Sequence, residues 1–265
     1  MVDLLLSEIH AEQRELLDTL LLIERFVFES DESLSLEPVL SACQDSTDGI
    51  DDNMAKAECF INELFVNELF LDNPRENWPS FSYRINDSVH HRVISPVTKA
   101  AVIQHLANKS GLESDLVFIP EKIMVRILCD DMYSIIFDPI TGESLNWQQL
   151  NACLDELKSS AGQVYVEPMS RNSLLIEYLS GLKTSLLAEA KFDEALRAVD
   201  LMLAITPASN EEAKNKGLLV HQQSLVSSAY QDKTSVQQPR SNMLYAAHTK
   251  QEASATSEGG INNLH

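Results

Sequence analysis

The segment from Ser95 to Leu145 restricts the fold more than any other part of this 265-residue chain. It opens on Ser95-Pro96, a helix-capping residue followed by the residue that suits the first helical position, and its first half stops at Ser110-Gly111. From Val97 to Lys109, Ala100, Ala101, Ile103, Leu106 and Ala107 place apolar side chains around most of the circumference. A helix of that kind has almost no solvent face and belongs at the centre of a domain. After it the period changes. Leu116 to Ile119 reads as a short strand ended by Pro120, and Ile123 to Cys129 and Tyr133 to Phe137 are two β-rich runs parted by Asp130-Asp131-Met132, the form of a hairpin. Asp138-Pro139-Ile140-Thr141-Gly142 is a turn closing the second run, and Leu145 to Lys158 returns to helical spacing. A buried helix beside a small antiparallel sheet is an α+β arrangement.

Helices are expected on both flanks. Leu16, Leu20, Ile23 and Val27 form an amphipathic stripe with Glu15, Asp18 and Glu24 beside it. Ser35 to Gln44 reads as a short helix around Pro38. Met54 to Asp72 reads as a long one with Phe60, Leu64 and Phe65 in a stripe continued by Leu69, followed by a loop at Asn73-Pro74 and Trp78-Pro79. On the other flank, Leu174 to Ala190 and Phe192 to Ile205 make a helix pair ending at Thr206-Pro207, and Asn210 to Gln223 begins a third. Residues 224–265 are rich in Ser, Gln, Asn, Thr and Gly, with too few apolar clusters to offset their ordering entropy, so a disordered tail is expected.

Charge narrows the function classes. With 40 acidic and 20 basic side chains the chain carries a formal charge of −20, much of it in the first eighty residues. That field opposes nucleic acid, whose binding requires clustered Lys and Arg, and it opposes anionic membrane surfaces. The N-terminal Met1-Val2-Asp3 lacks the positive charge of a secretory leader, and the apolar runs are far shorter than a membrane span, so a cytoplasmic protein is expected. Cys43, Cys59, Cys129 and Cys153 form no C-x-x-C pair, which leaves mostly buried, reduced thiols. No metal site is expected: His90-His91-Arg92 places neighbours in diverging directions, a loop reading, and His105 reads as a hydrogen-bonded core histidine. No phosphate loop, dinucleotide turn or H-E-x-x-H occurs, and no cofactor is expected.

Two stretches carry family likenesses. Leu182, Ala190, Phe192, Asp193, Glu194, Ala195 and Pro207 resemble the apolar, small, aromatic and closing-proline positions of a tetratricopeptide repeat, with Ala213 and Gly217 suiting a following repeat that fades. In such packing Phe192 and Leu196 fill the space between helix pairs, and small residues such as Ala195 and Gly217 let helices approach. Upstream, Phe118-Ile119-Pro120, Ile123-Met124-Val125-Arg126 and Phe137-Asp138-Pro139-Ile140-Thr141-Gly142-Glu143-Ser144-Leu145 resemble the transglutaminase-like domain of the bacterial Sir B family. Tyr83-Arg84-Ile85 and the Ser95 to Gly111 helix precede them in matching order. The likeness covers roughly residues 10–221 and implies a papain-related core in a cytoplasmic bacterial protein, from a family associated by name with regulation of virulence or invasion genes. Residues 1–165 are then expected as the transglutaminase-like α+β domain, 171–223 as tetratricopeptide-like helices and 224–265 as the tail.

A papain-type site needs a thiol at the start of the central helix, a base on a following strand and a third group to orient it. The resemblance sets these positions at Thr98, Lys122 and Asp138. Threonine offers no anion at neutral pH, and a lysine near its usual ~10.4 is a poor base. Only Asp138 matches. Thr98 otherwise reads as a first-turn residue bonding backbone, Asp138 as an Asx cap on its turn, and Cys129, beside Asp130 and Asp131, as a poor nucleophile. The expected function is a non-catalytic scaffold or regulatory protein acting through an unidentified protein partner. The alternative is a hydrolase or acyltransferase using Thr98, Lys122 and Asp138. A direct DNA-binding regulator is disfavoured by charge.

Overall fold

The computed structural model describes residues 2–9, 14–29, 36–68, 70–119, 122–130, 133–146, 148–149, 166–207, 209 and 212–220. Residues 1–216 group into one compact unit and 217–265 into another. In chain order the helices are α1 (Val2–Ile9), α2 (Leu16–Phe28), α3 (Glu37–Thr47), α4 (Asn53–Asn62), α5 (Ile85–His91) and α6 (Pro96–Lys109). Strands β1 (Glu113–Ile119), β2 (Lys122–Leu128) and β3 (Ser134–Phe137) follow, then α7 (Arg171–Ala188) and α8 (Phe192–Ile205). Residues 212–220 are helical, inside the span expected for a third C-terminal helix. The architecture is α+β, as its periodicity predicts. The expected tail at 224–265, Cys153 and all but a fragment of the helix expected over 145–158 lie outside the described residues.

Helix α6 is central for the reason its sequence gives. Nine of its fourteen residues are buried, and it packs on α2, α3, α7, β1 and β2. Its C-terminus closes as expected, with Gly111 at φ +75° and Leu112 N–H donating to Ala107 O at 3.0 Å. The sheet is antiparallel in the order β1-β2-β3, so the hairpin reading holds. Asp115 and Arg126 face each other across β1 and β2 and form a two-pronged pair at 2.8 and 2.5 Å. Arg126 also donates to Val166 O at 2.9 Å, which fastens the returning chain. Residues beyond β3 and before α7 seal the sheet at both margins: Val117 bridges Pro168, and Phe137 bridges Ser144.

Three expectations change here. The helix expected as continuous over Met54–Asp72 ends at Asn62, passes through a π-helical turn at Glu63–Asn67, and 70–79 is irregular. The wider turn still buries Leu64 and Phe65, whose ring meets Phe137 edge-on at 5.9 Å. Glu24, expected beside the α2 stripe, is 2% exposed; its Oε2 accepts from Ile85 N–H at 2.7 Å and so satisfies the first amide of α5. His90 and His91 end α5 instead of lying in a loop, because the left-handed turn comes one residue later, at Arg92 (φ 55°).

The C-terminal hairpin packs α7 against α8. Ala190 turns the corner at φ 58°, with Lys191 N–H donating to Leu186 O at 2.9 Å. Ala195 is fully buried, while Phe192 and Leu196 are half-buried. Gly217 is exposed, and among the described residues nothing lies within 4 Å of where its Cβ would stand. The close approach expected there is made instead by Gly181 in α7, where a Cβ would collide with the Tyr83 ring and hydroxyl.

Candidate functional site

The start of α6 decides the site, because a papain-related reaction centre sits at a helix N-terminus whose dipole favours negative charge. A cavity of about 400 Å³ opens there. Pro96 and Val97 face it from the first turn of α6, Ile123 and Ile140 from the sheet side, and Tyr83, Trp78 and the 74–76 segment from the opposite wall. Glu177 and Gly181 of α7 close it, and Phe118, 47% exposed, stands at its rim. Helix α7, read from sequence as the start of a repeat array, is therefore a wall of this cavity.

Thr98 is not part of that lining. It is wholly buried, and its hydroxyl lies 2.8 Å from the Ser95 hydroxyl, away from the cavity. Ser95 occupies the N-cap position without bonding a first-turn amide; it spends its hydroxyl on Thr98. One residue earlier, Val97 has the position that faces the void.

Lys122 and Asp138 do come together. The first residue of β2 and the residue after β3 are brought side by side by the hairpin, and Lys122 Nζ lies 3.6 Å from Asp138 Oδ2. Asp138 divides its two oxygens. Oδ1 accepts from the Ile140 and Thr141 amides at 2.7 and 3.4 Å, the Asx arrangement its turn predicts, and Oδ2 faces the lysine. The turn requires its glycine twice over. Gly142 has φ +72°, and a Cβ there would lie 2.7 Å from Phe65 Cγ.

Beneath this turn lies a charge that sequence reasoning passed over. Lys99 is 2% exposed, and its Nζ donates to Phe70 O and to Ile140 O, the latter at 3.3 Å. The rings of Phe65 and Phe70 flank the ammonium at 5.6 and 5.7 Å. Asp72 N–H donates to the same Ile140 carbonyl at 3.0 Å. Burial pushes the Lys99 ammonium down to about 8, against the opposing pull of Asp72 and Asp138. A lysine in the mostly apolar stretch from Val97 to Ile103 was the available signal. The cavity aromatics Tyr83, Trp78 and Phe118 had none, since their juxtaposition depends on the path of 70–84 and on α7.

The tyrosines fix that wall. Tyr178, fully buried, donates its hydroxyl to Tyr83 O at 2.9 Å, and the two rings meet edge-on at 5.8 Å. Burial pushes the Tyr83 phenol up to about 12; a bond with Ser185 opposes this and the Glu177 charge adds to it. Ser185 Oγ donates to Trp78 O at 2.5 Å, and the Glu189 carboxylate accepts from both the amide and the hydroxyl of Ser80 at 2.7 and 2.6 Å.

The described cysteines lie elsewhere. Cys43 and Cys129 are buried as expected, but Cys59 is exposed on α4. Burial raises the Cys43 thiol to about 12 and also raises Cys129, to which Asp130 contributes less. His105 is half-buried, with Nδ1 2.6 Å from Glu15 Oε2 at the edge of the core. Among the described residues no group of three or more His, Cys, Asp or Glu side chains is arranged to hold a metal ion, and no helix is long and apolar enough to cross a membrane.

The sequence model of the Transglutaminase-like superfamily matches residues 23–179, from within α2 to within α7. The chain belongs to that superfamily. Among curated relatives of this transglutaminase-like protein, the UPF0162 protein YchA of Escherichia coli K12 is 28% identical over 149 residues, covering 53% of this chain and 55% of the relative. Protein SirB1 of Salmonella typhimurium is 26% identical over 149 residues with the same coverage. A UPF0162 protein of Vibrio cholerae is 23% identical over 174 residues, 64% of each chain. These relatives mark a SirB-like family, and the chain spans about half the length of those it matches over 149 residues. No solved structure matches it.

Proposed function

We propose that this SirB-like protein is a non-catalytic member of the transglutaminase-like superfamily that uses the cavity at the start of α6 to hold part of a protein partner. The observation that carries the reading is the pairing of Val97 facing the void with Thr98 buried behind it. Acyl transfer needs a nucleophile within bonding distance of a carbonyl and a base that can take its proton. At the helix start this cavity offers a proline and an aliphatic side chain. Lys122 is turned to the Asp138 carboxylate, with no serine, threonine or cysteine among the described residues that line the cavity beside it. Asp138, with one oxygen bonded to two amides and the other facing Lys122, holds a turn.

What remains of the site suits recognition. Aromatic and aliphatic walls with a few placed charges are the lining that binds a ligand group without transforming it. The hairpin of α7 and α8, which the sequence likens to a tetratricopeptide pair, contributes a wall through Glu177 and Gly181, so any repeat-like surface would be continuous with this one. The contact between Lys122 and Asp138 favours the second reading, a hydrolase or acyltransferase. The two part cleanly in one assay. The parent and its Thr98→Ala, Lys122→Ala and Asp138→Ala variants are compared on ester, amide and glutamine substrates. Turnover at the buffer rate by the parent is expected; turnover that disappears in the Lys122 and Asp138 variants would overturn the proposal.

A further inference from the structure

The charges around the cavity are not balanced. Arg75, Glu76, Lys122, Asp138 and Glu177 are its ionisable lining residues besides Tyr83. Asp72 holds Arg75 at 2.9 and 3.3 Å, and Asp138 faces Lys122. Among the described residues no ion pair joins Glu76 or Glu177, so two carboxylates remain uncommitted beside Trp78, Tyr83 and Phe118. Aromatic faces next to free carboxylates attract cations, through the ring quadrupole and through charge. The molecule already shows one such contact: the Arg75 guanidinium lies over the Trp78 ring, 5.4 Å from its centre. It stands where an incoming guanidinium would stand.

We infer that the cavity at the start of α6 is a seat for a basic side chain of a protein partner, an arginine above all, and that Arg75 occupies the Trp78 face as an internal competitor. This rests on the binding reading above and names the chemistry of what is bound. A guanidinium is planar and weakly hydrated, so it can lie on an indole and still direct N–H groups at a carboxylate. Glu177, on a rigid helix and beside the Tyr83 phenol, is placed to receive them. The whole-chain charge of −20 draws a basic partner toward the surface and repels an acidic one. Arg75 sets the affinity. A partner must displace it from the indole or share the cavity with a like charge.

The test uses the full chain and small probes. The indole N–H resonance of Trp78, assigned with Trp78→Phe, is followed by NMR as Nα-acetylarginine amide is added. Nα-acetylcitrulline amide is the neutral isostere and Nα-acetylglutamate amide the acidic control; free arginine reports on a metabolite as the source. Saturation by the arginine derivative is expected, with the citrulline derivative about tenfold weaker, since it loses both the ring attraction and the ion pair. Glu177→Gln should weaken arginine binding about threefold to fivefold. Arg75→Ala should tighten it by a similar factor, a gain that a damaged fold does not produce. The inference is overturned if no saturable shift occurs up to tens of millimolar, if citrulline matches arginine, if glutamate binds better, if free arginine binds far more tightly than the blocked form, or if Arg75→Ala leaves affinity unchanged or weaker. Acyl turnover that depends on Lys122 would remove the non-catalytic reading and leave these binding results standing, so the two failures are distinguishable.

Discussion

Replacing Lys99 with methionine keeps most of the length of a buried side chain and removes its titrating group, so that the pH dependence of the difference reports what the charge does to the fold. In the folded protein the ammonium is displaced from 10.5 to about 8, chiefly by burial. A displacement of that size corresponds to about 3 kcal/mol of free energy between the two protonation states. The sign follows from proton binding. Between pH 8 and 10.5 the unfolded chain holds a proton that the folded chain has released, so stability rises with pH across this window. Below pH 8 both states are protonated and the full penalty is present; above 10.5 both are neutral and it vanishes. Opposing the penalty are the ammonium's bonds to Phe70 O and Ile140 O, each worth about 1.5–3 kcal/mol for a charged donor. At pH 7 the parent and Lys99→Met should therefore lie within about 2 kcal/mol of each other. The difference should then move in the parent's favour by about 3 kcal/mol as pH rises to 10.5. Urea unfolding followed by circular dichroism at half-unit pH steps measures this, and taking the difference cancels the other lysines and tyrosines. A parent-minus-variant difference that is flat across the window, or that falls, would refute the placement of a charged lysine under the Asp138 turn.

Four further outcomes follow from particular contacts. Gly142→Ala forces a side chain into φ +72° and into the Phe65 ring, and should lower stability by about 2–4 kcal/mol; adding Phe65→Leu should recover part of that in a double-mutant cycle, and no coupling would count against the contact. Glu24→Gln leaves the first amide of α5 with a weaker acceptor in a buried place and should cost about 1–3 kcal/mol in chemical denaturation. Ala190→Gly relieves a left-handed residue between α7 and α8 and should raise stability by about 0.5–1 kcal/mol, seen as a higher melting temperature. In a Cys59→Ser background, Val97→Cys should be alkylated at least about tenfold faster than Thr98→Cys, because only the former side chain faces the cavity; equal rates would show that the first turn of α6 is rotated.

The parts of the fold that the sequence discloses are those set by local pattern. Helix α6, the β2–β3 hairpin and the Asp138 to Gly142 turn are short-range consequences of apolar period, capping residues and turn chemistry, and each stands where these predict. The registry of Lys122 beside Asp138 follows from the hairpin too. Buried charges are a different matter, because Lys99, Glu24 and Arg126 are met by partners distant in sequence: Phe70 and Ile140 for the first, the Ile85 amide and Arg84 for the second, Asp115 and Val166 for the third. Composition treats all three as surface residues. The break of the 54–72 helix into a π turn has the same origin, since burying Leu64 and Phe65, the latter against Gly142, outweighs helical continuity. At the site itself, a resemblance could name positions but not directions. A rotation of one residue on α6 separates Thr98 from Val97, and that single step decides which of them meets the cavity.

The seams at Pro168 and Ser144 have a consequence beyond the packing described for them. A three-stranded sheet has two outer rims of unmet amides and carbonyls, and such rims invite any extended chain, including a second molecule, to add itself. Here Met169 N–H engages Leu116 O at 2.8 Å on one rim and Leu145 N–H engages Ile136 O at 2.8 Å on the other. The protein thus lays its own chain, selvedge-like, along part of each rim, and at Leu116 and Ile136 the carbonyl that an added strand would seek is already taken.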